Sequence, residues 1–313
     1  MGIDLTPSAA SSTTEATYKS REVEGWIDIR FYRKIGFRLA SFFAKLKMTP
    51  AAVSLLGCLF GVVAGHLYYY HNLSVNIAGM ALHVGANALD NADGQLARLT
   101  NRKSRTGRVI DSLADHLIWV SIYVHLGLRC LAQGPWPAVA LLTLAAGFSH
   151  ALQGAAADYY RNGYLYFVRG RSRADLDSFS TLREEYRRLR WRAEPWNKFL
   201  LALYLNFTWQ QEMLSPGLKR LHETVERDFP NEIPSSLQTR FHDSARPMLR
   251  WWRLLMTNTR MFLLFLLLFI GQPVWYFWLE LTAFNFLLIY LILQEERMSQ
   301  SLLELATARH APA

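Results

Sequence analysis

Asp90, Asp93, Asp111 and Asp115 bring four carboxylates into one short stretch of this chain. Asp90 and Asp93 are three apart and Asp111 and Asp115 four apart, so on helices each pair shares a face. The short connection between the pairs makes the two helices antiparallel neighbours, and the four carboxylates are expected to converge. Oxygen-only ligands in this arrangement suit hard divalent cations, Mg²⁺ or Mn²⁺, with substrate phosphates completing the coordination shell. The expected chemistry is therefore metal-assisted and acts on a phosphate-bearing substrate.

The surroundings sharpen that reading. An ionised aspartate at the centre of a spanning helix costs about 2.5 to 3.5 kcal/mol, so a group of four calls for cationic compensation. Gly94, Ala97 and Gly107 each lie one turn from an aspartate and clear space beside the carboxylates, although small residues at this spacing also serve ordinary helix packing. Arg98 either pairs with phosphate oxygens or anchors the cytosolic end of its helix.

Half of the chain is hydrophobic (51%) and 13% is aromatic, with a net charge of +9. The basic residues sit in loops flanking apolar runs rather than along a groove, which argues for a bilayer and against nucleic acid. The expected fold is an all-α polytopic membrane protein. Residues 1–22 read as a disordered tail without a secretory signal, and 23–48 as a cytosolic interfacial amphipathic helix. In the latter Phe31, Ile35, Leu39, Phe42 and Leu46 form the apolar row; docking of this helix on the protein's own cytosolic face is the alternative. Helices 1–4 are expected within 49–169, helices 5 and 6 within 251–295, and a C-terminal tail at 296–313.

The basic 101–108 loop and the 14 Lys and Arg of 171–250 contrast with the turns near 71–74, 132–135 and 271–273, which carry none. Both termini are therefore assigned to the cytosol. Residues 170–250 read as a helical cytosolic insertion lying at the interface. Cys58 and Cys130 lie in apolar stretches without metal or redox spacing and read as packing residues.

The window Asp90-Asn-Ala-Asp-Gly-Gln-Leu-Ala-Arg98, followed by Gly107, Asp111 and Asp115, matches D-x-x-D-G-x-x-A-R, eight residues, then G-x-x-x-D-x-x-x-D at every fixed position. It resembles the CDP-alcohol phosphatidyltransferases, over about residues 45 to 169. The resemblance implies six membrane helices, commonly a homodimer, and an active site open to the cytosol. It makes Asp90, Asp93 and Asp111 the main metal ligands of a pair of cations and Asp115 the general base beside them. Gly94, Ala97, Arg98 and Gly107 would accommodate the CDP moiety. One position departs: where the family often has Thr-Pro-Asn, Thr49-Pro50 is followed by Ala51, and Asn87, one turn before Asp90, is a candidate substitute.

The resemblance further implies transfer from a CDP-linked lipid, by default CDP-diacylglycerol, to a hydroxyl acceptor that the sequence does not choose. A bacterial inner membrane is the expected setting. Asp158 and Arg161 in the fourth span, and Asn258 and Arg260 in the fifth, are candidate acceptor-binding residues, or else a structural ion pair and interfacial anchors. A divalent-cation transporter is the main non-enzyme alternative; it predicts acidic residues on several non-adjacent spans, and apart from Asp158 and Glu280 the others are nearly bare.

Overall fold

The computed structural model describes residues 22–308, apart from 103, 133, 135, 172, 173 and 175. The expected tail thus lies almost wholly outside the described residues, as do Lys103 and residues 309–313. Among the described residues every regular element is helical. Five stretches among the described residues are long and apolar enough to cross a membrane: Pro50–Leu67, Arg105–Leu131, Trp136–Arg169, Ser235–Phe269 and Val274–Thr307. The chain divides into two compact units, Met1–Leu144 with Phe265–Val274, and Ala145–Leu264 with Trp275–Ala313.

In the first unit a short π-helical turn (Asp28–Tyr32) leads into α1 (Arg33–Lys45), followed by α2 (Pro50–Leu67), α3 (Leu73–Leu99) and α4 (Arg105–Leu131). Each later start has a side-chain cap satisfying a free amide. Thr49 accepts from the Ala52 N–H before a proline at the first helical position, Asn72 from Ser74, and Ser104 from Gly107 at 3.0 Å.

α2 carries glycines 57, 61 and 65 on one face, and these allow backbone-close packing. A Cβ on Gly57 would stand 3.3 Å from the Leu89 Cβ of α3, and one on Gly65 would stand 2.8 Å from the Ile122 nitrogen of α4. At the end away from the aspartates, Arg129 of α4 is buried, and its Nη1 donates to the carbonyls of Tyr68 and Tyr70 and to Asn76 Oδ1. This single side chain ties the ends of α2, α3 and α4 together.

α3 is 27 residues long but is not among the five most apolar stretches. The reason is its polar inner face: Asn76 and His83 are buried, with Asn76 bonded to the Leu67 and Tyr70 carbonyls and His83 to the Tyr68 hydroxyl. These groups are satisfied within the unit, as an apolar surround requires.

α1 and the turn before it pack one side against the unit. Tyr32, Gly36, Ala40 and Phe43 are buried, and the Gln95 side chain of α3 donates to the Arg33 carbonyl at 3.2 Å. Phe31, Phe42 and Leu46 stay exposed on the other side.

The second unit is built on the C-terminal part of α5 (Trp136–Arg169) with α6 (Phe179–Arg188), α7 (Pro195–Leu214), α8 (Pro216–Asp228), α9 (Ser235–Trp252), α10 (Thr257–Phe269) as far as Leu264, α11 (Val274–Leu281) from Trp275 and α12 (Ala283–Ala308). Within 170–250 the described residues form α6 to α9. Tyr160 stacks on Trp252, Phe167 on Phe241, and Gly163 admits Leu218. α12 runs through 296–308, with Leu302 and Ala306 buried. Cys58 and Cys130 are both free thiols.

Candidate active site

The 27-residue helix α3 presents Asp90 and Asp93 near its C-terminal end, and α4 presents Asp111 in its second turn. The ligand oxygens of Asp90, Asp93 and Asp111 all lie within 4.8 Å of one another. Asp93 is 5% exposed and the other two are half-buried. Asp115, one turn further along α4, is exposed and outside this group. The structure thus gathers three of the four carboxylates, because four residues of helix advance about 6 Å.

The donor set fits a hard divalent cation. Asp93 and Asp111 stand within hydrogen-bonding reach of each other, and like charges at that separation in a dry setting call for a shared proton or a cation. The Ser54 hydroxyl of α2 lies 2.5 Å from Asp93 Oδ2, a contact that sequence reasoning missed. The only signal for it is register: Ser54 shares the face of Gly57, Gly61 and Gly65.

The small residues flank the cluster. A Cβ on Gly94 would lie 3.5 Å from Arg98 Nη1, so the guanidinium folds back over the glycine one turn earlier. Gly107 is tight against Ser104, whose Oγ would stand 3.0 Å from a Cβ there while it also accepts the Gly107 N–H. Ala97 is half-buried on α3.

Asn87, one turn before Asp90, bonds the Tyr32 hydroxyl. Burial pushes the Tyr32 phenol above its ordinary range, with the Asn87 bond opposing and Asp28 reinforcing the shift. The Asn91 side chain in turn donates to the Asn87 carbonyl at 3.0 Å, and Arg33 is clamped by two hydrogen bonds to Glu24. The N-terminal helix is therefore wired to the face of α3 that leads to Asp90.

In the second unit the acceptor candidates have internal partners. Asp158 accepts from Arg161 at 2.5 Å, Asn162 at 3.0 Å and Gln211 at 3.2 Å. Arg260 is 1% exposed; its Nη1 lies 2.6 Å from both Glu280 oxygens and 2.7 Å from His150 Nδ1, its Nη2 bonds Gln153, and its Nε bonds the Leu255 carbonyl. Rather than anchoring at an interface, it joins α5, α10 and α11. Asn258 lies in the first turn of α10.

Residues 47–161 match the family model of CDP-alcohol phosphatidyltransferase. Over 128 residues the chain is 33% identical to an archaetidylinositol phosphate synthase of Pyrococcus horikoshii, covering 41% of this chain and 65% of that protein. It is 28% identical over 121 residues to a bifunctional IPC transferase and DIPP synthase of Thermococcus kodakarensis (39% of this chain, 27% of that protein). An uncharacterized protein of Aquifex aeolicus is 30% identical over 115 residues (37% and 57%). The chain thus spans less than two thirds of the length of each of these relatives.

Proposed function

We propose that this chain, whose residues 47–161 match the family model of CDP-alcohol phosphatidyltransferase, transfers a phospho-alcohol group from a CDP-linked lipid, CDP-diacylglycerol by default, to an acceptor hydroxyl with release of CMP. The observation that carries the reading is the approach of Asp90, Asp93 and Asp111 to within 4.8 Å. When bound there, a pair of Mg²⁺ or Mn²⁺ ions supplies neutralisation of the diphosphate charge.

The chain's own residues do the rest. Gly94, Ala97 and Gly107 leave room for the CDP moiety, Arg98 holds a phosphate oxygen, and Asn87 takes the place of the asparagine missing at position 51. As the acceptor oxygen bonds to phosphorus and the bond to CMP breaks, the hydroxyl proton passes to the Asp115 carboxylate. The exposure of Asp115 suits that role, since a base must reach an incoming substrate.

The setting proposed is a bacterial inner membrane with both termini and the site on the cytosolic side, and the protein acting as a homodimer. Since one relative is named for archaetidylinositol phosphate, inositol phosphate leads the acceptor panel.

Donor binding tests the reading. Purified full-length protein should bind CDP-diacylglycerol with Mn²⁺ and lose it with chelator, and Asp111→Asn should abolish the metal-dependent part. Equal binding with and without metal would contradict it.

A further inference from the structure

Ser54 belongs to none of the motif positions, yet it touches the most buried carboxylate of the cluster. Its Oγ lies 2.5 Å from Asp93 Oδ2 and 3.2 Å from the Pro50 carbonyl oxygen. Both side chains are 5% exposed, so water does not substitute for the contact. A hydroxyl has one proton to give, and both neighbours are acceptors when Asp93 is ionised. The shorter contact marks the carboxylate as recipient, as expected for a charge-assisted bond.

The contact follows from how α2 and α3 meet. They pack antiparallel where Gly57 lets Leu89 and the Ala86 carbonyl approach. About one turn toward the start of α2, on the same face, comes Ser54, and one turn beyond Leu89 on α3 comes Asp93. Close glycine packing thus sets the hydroxyl and the carboxylate level with each other, and the short contact is a product of register.

We propose that Ser54 is a positioning residue for the cation site: its hydroxyl engages Asp93 Oδ2, fixes the rotation of that carboxylate, and leaves the remaining oxygen for a divalent cation shared with Asp90 and Asp111. Groups that hold a ligand from behind set its orientation and basicity, and losing one typically weakens metal binding by roughly 10- to 100-fold. The proposal rests on reading the three aspartates as a cation site.

The test is Mn²⁺ affinity of the full-length protein in detergent, read from the resonance of free Mn²⁺ and needing no turnover. Ser54→Thr keeps the hydroxyl, while Ser54→Val has nearly the same shape without it, so the pair separates hydrogen bonding from packing. The valine variant should bind Mn²⁺ roughly 10- to 100-fold more weakly than wild type, and the threonine variant close to wild type. In an Asp93→Asn background the valine change should add nothing. Equal affinities for the valine and threonine variants would overturn the role of the hydroxyl while leaving the cation site standing. Wild-type affinity in Asp93→Asn alone would instead overturn the cation-site reading, and this proposal with it.

Discussion

Arg260 and Glu280 form a buried ion pair in the second unit, with Nη1 2.6 Å from each carboxylate oxygen and His150 and Gln153 closing around the guanidinium. Removing one partner strands the other charge where water cannot reach it, at a cost of roughly 3–5 kcal/mol, whereas replacing both by apolar groups is often neutral. Glu280→Gln should therefore lower the melting temperature of the purified protein sharply, and Arg260→Met with Glu280→Leu should recover most of it. Equal melting of wild type and Glu280→Gln would show that the pair contributes little.

Gly65 sits where a Cβ would meet the Ser121 hydroxyl at 2.6 Å and the Ile122 backbone nitrogen at 2.8 Å. Backbone cannot swing aside as a flexible side chain can, so Gly65→Ala should force α2 and α4 apart. The expected loss is about 1–3 kcal/mol, the usual cost of overpacking, against little change for Gly154→Ala, where a Cβ meets nothing within 4 Å. Thermal unfolding of the two variants side by side makes the comparison.

Tyr32 offers a test of whether the N-terminal helix helps to shape the proposed donor pocket. Tyr32→Phe keeps the ring and removes the hydroxyl that bonds Asn87. A net hydrogen bond of about 0.5–1.5 kcal/mol corresponds to roughly a 2- to 10-fold rise in donor KM, with kcat little changed. Unaltered kinetic constants would separate α1 from donor recognition.

What was legible in the sequence follows from what spacing encodes. Helical spacing placed Asp90 with Asp93 and predicted the α3–α4 turn that carries Asp111 back to them. The apolar row of α1 was likewise visible as a period. Spacing within one helix does not reveal partners on another. Ser54 behind Asp93, Tyr32 on Asn87 and Arg129 across three helix ends are products of tertiary register. Arg260 read as an acceptor-binding candidate or an interfacial anchor because its position in sequence says nothing of Glu280, twenty residues later on another helix. Asp115 was expected with the other three; the advance of one helical turn leaves it outside the tight group.

His222 of α8 gives the insertion a dependence on pH. Burial holds its pKa below the ordinary 6.5, with Glu226, Glu212 and Asp177 pulling it up and Arg171 pushing it down; the Tyr166 ring packs edge-on at 4.6 Å. The unfolded chain then takes up the proton before the folded one does. Stability from this group is complete above the ordinary histidine range and is lost as pH falls from about 6.5 toward the depressed folded value. Melting temperatures across that window should fall less steeply for His222→Gln than for wild type; parallel slopes would remove His222 as the source.

Acceptor-dependent CMP release measures the proposed group transfer at the aspartate cluster most directly. Purified protein, CDP-diacylglycerol, Mg²⁺ or Mn²⁺ and a panel of alcohols headed by inositol phosphate should release CMP with at least one acceptor. Chelation should stop the release, and Asp115→Asn should abolish it while still binding the donor. Full CMP release by Asp115→Asn, or release indifferent to metal, would contradict the account.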